Sequence, residues 1–241
     1  MGGGTAGWLT AAVLAAGHNA ARDDGVQVTL VESPDVATIG VGEGTWPSMR
    51  DTLNAVGIAE HEFIRECSAS FKQGSKFVGW RTGEPGEFYY HPFSLPQGYL
   101  RANLVPFWQS EHAGQSFAAA FSTQEALCQA GRAPKQFATP AYAAVANYGY
   151  HLDAAKFASL LQRHCTEKLG VRHVLDHVTG VISRDDGDVD HLTTKSSGPL
   201  AADLFVDCTG VASLLLGRHF GVPFISQKDV LFNDRALAIQ V

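Results

Sequence analysis

The glycines of "MGGGTAGWLTAAVLAAG" constrain this chain more than any other feature: Gly2, Gly4 and Gly7 fit the spacing G-x-G-x-x-G. Glycines so spaced permit a tight turn and let a bound group approach the backbone closely. The alanine- and leucine-rich run after them predicts a helix from Trp8 to about Ala21, whose first N–H groups are free to meet an anion. Arg22–Gly25 breaks it, and the β-branched alternation of "VQVTLVES" predicts a strand ending at Glu32. Loop, helix, strand and terminal acid follow the order of a βαβ dinucleotide unit, with phosphates at the helix start and the acid on the ribose hydroxyls. The strand that normally precedes the loop is missing, so the loop reads as a truncated remnant of that unit. The glycines alone would suit a flexible tail better. The four elements in order favour a dinucleotide, and NAD(P) and FAD both fit at this point.

A length of 241 residues suits one large domain or two small ones. A net charge of −6 with no run of Lys or Arg argues against a nucleic-acid footprint or a polybasic membrane patch. Trp8–Gly17 is too short to span a bilayer, and no basic leader precedes it. Ala6 stands where a myristoylation motif needs Ser or Thr. Cys67, Cys128, Cys165 and Cys208 are widely spaced, so neither a metal knuckle nor a disulfide framework is expected, and a cytoplasmic location fits.

Further along, "IGVGEGTWPS" (Ile39–Ser48) reads as a loop, and Ser48–Cys67 as two short helices parted by Gly57, the first capped by Ser48. Ser70–Gly83 suits an extended segment, and residues 101–140 are helical in places. "HLDAAKFASLLQRHCTEKLG" predicts an amphipathic helix with Asp153 as N-cap and Gly170 as stop. "VRHVLDHVTGVIS" and "HLTTKSSGPL" predict a small antiparallel piece, and "DLFVDCTG" a short buried strand.

Several residues stand out for chemistry, each with a plainer alternative. "GVGEG" suits either a close backbone approach or a surface turn. Lys72 and Lys76 fall on one face in any regular structure, and most lysines are simply solvated; the aromatics Phe71, Phe77 and Trp80 suggest that one is partly enclosed. His91 and Phe93 could stack on a planar substrate or pack in a core. Cys208 has no evident base partner, so a thiol nucleophile is not expected.

Taken together, "GGGTAGW" (Gly2–Trp8), "IGVGEGTWPS", "SFKQGSKFVGW" (Ser70–Trp80), "YHPF" (Tyr90–Phe93), "YHLDAAKFASLL" (Tyr150–Leu161) and "FVDCTG" (Phe205–Gly210) resemble the flavin-dependent halogenases of the tryptophan halogenase family, in order along the chain. The variant motifs look closer to indole-type and orphan members. The resemblance implies an α/β fold with a Rossmann-like FAD module and an interleaved substrate-facing segment. FAD-binding elements would span about 1–48 and 141–241, and the substrate-facing segment about 49–140. Gly2, Gly4, Thr5, Ala6, Gly7, Glu32, Gly44 and Val178 would bind FAD, Lys72 would be the active-site lysine, and His91 and Phe93 would sandwich an aromatic substrate such as tryptophan or an indole. A separate flavin reductase would supply reduced FAD. Oxygen and halide would then give a flavin hydroperoxide and hypohalous acid, which reaches Lys72 through a tunnel. A homodimer is compatible with that class. The family's W-x-W-x-I-P motif, downstream glutamate and Thr-Gly halide site have no counterpart here, so the sequence reads as the N-terminal half of such an enzyme, doubtful in activity alone. A flavin-dependent aromatic hydroxylase or a non-catalytic nucleotide-binding remnant are the other readings.

Overall fold

The computed structural model describes residues 1–18, 24–36, 43–232 and 235. The described elements are α1 Thr5–Gly17, β1 Thr29–Glu32, β2 Glu43–Gly44, α2 Ser48–Ala55, α3 Glu60–Glu66, β3 Ser70–Lys72, β4 Gly74–Val78 and β5 Phe88–Pro92, followed by α4 Val105–Glu111, α5 Phe117–Phe121 and α6 Gln124–Gln129. The chain continues through β6 Gly149–Leu152, α7 Ala154–Glu167, β7 Arg172–Leu175, β8 Val178–Ser183, β9 Val189–Thr194 and β10 Leu200–Ala201. The fold is mixed α/β and divides into two compact units, Met1–Val41 with Asp153–Val241, and Gly42–Leu152. Among the described residues no helix is long and apolar enough to cross a membrane.

In the first unit, α1 packs against α7. Ala11, Ala12 and Ala15 of α1 are buried, and such small side chains let two helix backbones come close. The facing helix buries Phe157, Leu160, Leu161 and Cys165, its N-cap Asp153 accepts the Lys156 N–H at 3.0 Å, and Gly170 ends the segment at φ +70°. The strand β7 runs parallel to β1, with Leu30 opposite His173 and Val31 opposite Val174. This corrects the expected antiparallel piece, which begins only at β8 and runs β8-β9-β10. A helix, α7, delivers the chain to β7, and a helical crossover returns a strand parallel. Val31, Val174, Leu192 and Leu215 form the core here, with Val178 packed against them.

Two further expectations change in this unit. The first helix starts at Thr5 with Gly4 as N-cap, not at Trp8, and ends at Gly17; residues 19–21 of the expected helix lie outside the described residues. The segment "DLFVDCTG" forms no strand, and Val206 is 37 % exposed. Its backbone is tied instead to Met1 and Gly2: the Met1 amino group donates to the Val206 carbonyl (3.0 Å), Cys208 N–H donates to the Met1 carbonyl (2.9 Å), and Gly2 N–H donates to the Val31 carbonyl (2.9 Å).

The second unit holds the antiparallel sheet β2-β6-β3 and the hairpin β4-β5. Ile39–Ser48 was expected to be loop; Glu43 and Gly44 instead pair with Leu152 and His151, and residues 39–42 lie outside the described residues. Ser48 is the first residue of α2 rather than its cap, because Pro47 (φ −56°, ψ −28°) already takes helical angles. Gly74, at φ +152°, parts β3 from β4 after Gln73. Lys72 and Lys76 therefore sit in different sheets, and the expectation that they share a face fails.

Candidate functional site

The glycine loop is packed so closely that side chains have no room. A Cβ on Gly7 would lie 1.8 Å from the Gly2 carbonyl oxygen, and one on Gly2 would lie 2.3 Å from the Cys208 carbonyl oxygen; Gly2 also has φ +106°. Thr5 and Ala6 open α1, whose N-terminus has neither a side-chain cap nor an acid in its first turn. Glu32, at the end of β1, accepts the Trp8 indole N–H at 3.1 Å and lies 3.6 Å from His173 Nε2. Its carboxylate arches over Gly3, where a Cβ would fall 1.9 Å from Oε2. Gly3 is a variable position of the G-x-G-x-x-G spacing, which places no constraint on it. Trp8, expected to open the helix, is 1 % exposed, lies edge-on to His173 and orients the acid. Asp207 holds the turn that follows it, accepting from Thr209 and from the Leu215 N–H. Burial alone would raise its pKa, but hydrogen bonds from Thr209 and the Leu215 N–H outweigh it and hold the carboxyl below its ordinary value.

In the second unit, strand alternation sorts the β2-β6-β3 sheet into two chemically different faces. Register places Lys72 opposite Gly149, and Ser70 and Gly44 on either side of His151. A Cβ on Gly44 would meet Lys72 Nζ at 3.0 Å and His151 Nδ1 at 3.3 Å. The same Nζ lies 5.5 Å from the Phe93 ring centroid and 5.9 Å from that of Trp46, and the two rings are 5.6 Å apart. Phe93 is held in place by its neighbours: its N–H donates to the Gln73 carbonyl (3.1 Å), Asn147 Nδ2 donates to its carbonyl (3.0 Å), and the Ser94 N–H donates to the fully buried Gln124 (2.7 Å). Lys76, in contrast, lies over Phe88 (4.3 Å) and Tyr90 (5.6 Å) in the hairpin. His91 is exposed on β5 and lines an aromatic cavity of about 600 Å³ with Trp108, Phe117 and Phe121. The structure thus sets Phe93 beside Lys72 and His91 in the wall of that cavity.

The profile of the tryptophan halogenase family matches residues 1–241, the whole chain. The chain belongs to that family. Among relatives, this tryptophan halogenase family member is 36 % identical to tryptophan 7-halogenase RebH of Lentzea aerocolonigenes over all of its own length and 47 % of RebH. A solved tryptophan halogenase structure from Shewanella frigidimarina superposes with a TM-score of 0.91 at 54 % identity, covering 97 % of this chain and 46 % of that one. The flavin-dependent tryptophan C-6 halogenase Tar14 superposes at 0.85 with 35 % identity, covering 95 % and 45 %. The chain spans about half the length of the relatives it matches.

The opposite face of the β2-β6-β3 sheet in this family member carries a polar network that the sequence analysis missed. Glu60, 3 % exposed, accepts hydrogen bonds from Lys135 Nζ (2.7 Å), the Tyr142 N–H (2.8 Å), Tyr150 OH (2.8 Å) and Tyr148 OH. Burial pushes its carboxyl up, but the bonds from Lys135, Tyr148, Tyr142 and Tyr150 outweigh that and leave it below the ordinary value. The phenols of Tyr142, Tyr148 and Tyr150 are all pushed up, by burial first and then by Glu60. The available signal was the alternation Tyr148, Tyr150, Leu152 in β6 and its approach, with the small Gly149 and polar His151 facing the other way.

Proposed function

We propose that this chain is the FAD-holding and lysine-bearing part of an enzyme that halogenates an aromatic substrate such as tryptophan or an indole. The observation that carries the reading is Lys72: its ammonium is set across the side-chain-free Gly44 and beside the Trp46 and Phe93 rings, in a chain of the tryptophan halogenase family. Gly2, Gly4, Thr5, Ala6 and Gly7 would hold the FAD pyrophosphate. Close packing on the Gly2 and Cys208 carbonyls demands glycine in the loop, and the uncapped, acid-free start of α1 offers N–H groups to phosphate, so the residues present fit that group. Glu32 would accept ribose hydroxyls, Gly44 would lie against the flavin, and Val178, whose side chain packs in the core, would contribute through its backbone. When bound, FAD reduced by a separate reductase would use oxygen and halide to supply hypohalous acid. Lys72 would hold or carry the oxidised halogen toward the ring, and Phe93 and His91 would stack on the substrate.

Gly7→Val tests the cofactor half of this reading. The new side chain would force the Gly2 carbonyl aside and rearrange the loop. Losing even two N–H bonds to phosphate, at about 1.5–3 kcal/mol each, predicts FAD binding weaker by roughly 100-fold or more. Fluorescence titration reads this directly, and unchanged affinity in a folded variant would remove the loop from the site. The reaction itself is tested in the protein continued to the length of its relatives, given FAD, a flavin reductase, oxygen, bromide and L-tryptophan or indole. A monobrominated product by mass spectrometry is expected; a hydroxylated product would identify an aromatic monooxygenase instead.

A further inference from the structure

We infer that Trp8 and His173 are positioning residues for the ribose-binding acid, a role that rests on the FAD reading above. They act through Glu32 rather than on the cofactor. Together they clamp one oxygen of its carboxylate, so that the other is presented, already oriented, to the ribose hydroxyls of the adenosine half of FAD. Register sets Leu30 opposite His173 and Glu32 opposite Leu175 in the parallel pair β1-β7, so Glu32 and His173 project from one face of it, the face that Trp8 covers. The Trp8 indole N–H donates to Glu32 Oε2 at 3.1 Å, and His173 Nε2 stands 3.6 Å from the same oxygen. The two rings lie edge-on, with centroids 5.0 Å apart. Gly3 closes the box from the loop side, where a Cβ would fall 1.9 Å from Oε2. Among the described residues no hydrogen bond engages Oε1, and the Glu32 side chain keeps 22 % exposure, so the second oxygen remains open to a ligand.

Both neighbours offer protons to that oxygen. An indole N–H can only donate, and Trp8 is buried away from water, so the Glu32 carboxylate is its acceptor. On His173, the Gln162 amide nitrogen lies 3.4 Å from Nδ1. An amide nitrogen only donates, so Nδ1 accepts and Nε2 carries the ring proton on the side of Glu32. Nε2 is itself buried and without a hydrogen-bond partner, since 3.6 Å is too long for a bond. A buried donor left unpaired is costly, and a small movement of the Glu32 carboxylate toward His173 satisfies it. An unanchored glutamate would lose rotamer freedom on gripping a ribose. One already held at Oε2 has lost that freedom in folding, which leaves more of the hydrogen-bond energy for the ligand.

Calorimetric titration of the chain with ADP and with 2′,3′-dideoxy-ADP tests the clamp, because the two nucleotides differ only in the ribose hydroxyls. The unaltered chain is expected to favour ADP about tenfold, the effect of one hydrogen bond to a charged acceptor. Trp8→Phe keeps a ring against His173 but deletes the N–H. It is expected to reduce that preference to about twofold or less while leaving the affinity for dideoxy-ADP unchanged. His173→Phe should also lower the preference, and His173→Gln, which keeps an N–H donor, should restore it. Gly3→Ala displaces the carboxylate from the opposite side, since the three atoms nearest to the new Cβ all belong to Glu32. It should abolish the preference even where a Trp8 variant does not fold. A merely structural role would weaken both nucleotides together. An equal loss of both in Trp8→Phe, or an undiminished preference in Gly3→Ala, would therefore overturn the clamp. So would an unaltered chain that binds FAD and ADP but does not prefer ADP to its dideoxy form, a result that leaves the glycine loop as the cofactor site. Failure of the unaltered chain to bind either FAD or ADP would overturn the FAD reading itself, and the clamp with it.

Discussion

Glu60→Ala is expected to lower the unfolding free energy of the chain by about 3–5 kcal/mol, the cost of removing one partner from a buried ion pair. The substitution strands the Lys135 ammonium, whose side chain is 13 % exposed, and leaves two buried phenols, Tyr148 and Tyr150, without their acceptor. Glu60→Gln should cost less, because an amide oxygen can still accept from Lys135 while its NH₂ group donates to a tyrosine hydroxyl. The pH dependence has a definite sign on each side. The Glu60 carboxyl is depressed in the folded state, so its contribution is complete above the unfolded carboxylate value of about 4.3 and is lost as pH falls through the folded value. The phenols are raised, so theirs is complete below about 10 and is lost as pH rises beyond it. Guanidinium unfolding across pH measures both limbs. Equal midpoints for the unaltered chain and Glu60→Ala would show that the network does not hold the β6 strand.

The network also bears on the site. Tyr150 and His151 are consecutive in β6, one pointing to Glu60 and the other to Gly44. Anchoring the tyrosines fixes the pleat and therefore where His151 and the strand opposite Lys72 stand. A Glu60 variant that remains folded should then show a displaced His151 resonance by NMR.

Local pattern made part of this arrangement legible. The helix α7, its Asp153 cap, the acid ending β1 and the paired helices α2 and α3 follow from periodicity and capping chemistry, which act over a few residues. What local pattern could not supply was anything set by distant partners. Gly44 belongs to a strand only because His151 is there to pair with it, 107 positions away by residue number. Lys72 and Lys76 looked equivalent because an even spacing preserves the face of a strand. The break at Gln73 and Gly74 removes that equivalence, and a lone glycine does not announce whether it will break a strand or merely sit in one. Gly3 carried no signal because its constraint is the Glu32 carboxylate folding back over it. Glu60 looked like an ordinary first-turn acid of a short helix, and the three tyrosines and the lysine that bury it arrive 75 to 90 residues later.

Lys72→Ala, with Lys76→Ala beside it, tests the central claim most directly in the protein continued to the length of its relatives. The two lysines lie four residues apart in one segment, yet one faces Gly44, Trp46 and Phe93 and the other faces Phe88 and Tyr90. Placing reacting groups correctly is worth about 7–11 kcal/mol of barrier, so losing the lysine proposed to place the halogen should cost roughly five orders of magnitude in halogenation rate. The glycine loop lies in the other unit of the chain and is unaltered by the substitution. FAD binding and oxygen consumption should therefore persist in Lys72→Ala while the oxidant escapes as free hypohalous acid. The measurement is the yield of halogenated aromatic per oxygen consumed, by chromatography and mass spectrometry. The predicted result is a yield near zero for Lys72→Ala and an unaltered yield for Lys76→Ala; substantial regioselective halogenation by Lys72→Ala, or an equal loss in Lys76→Ala, would contradict it.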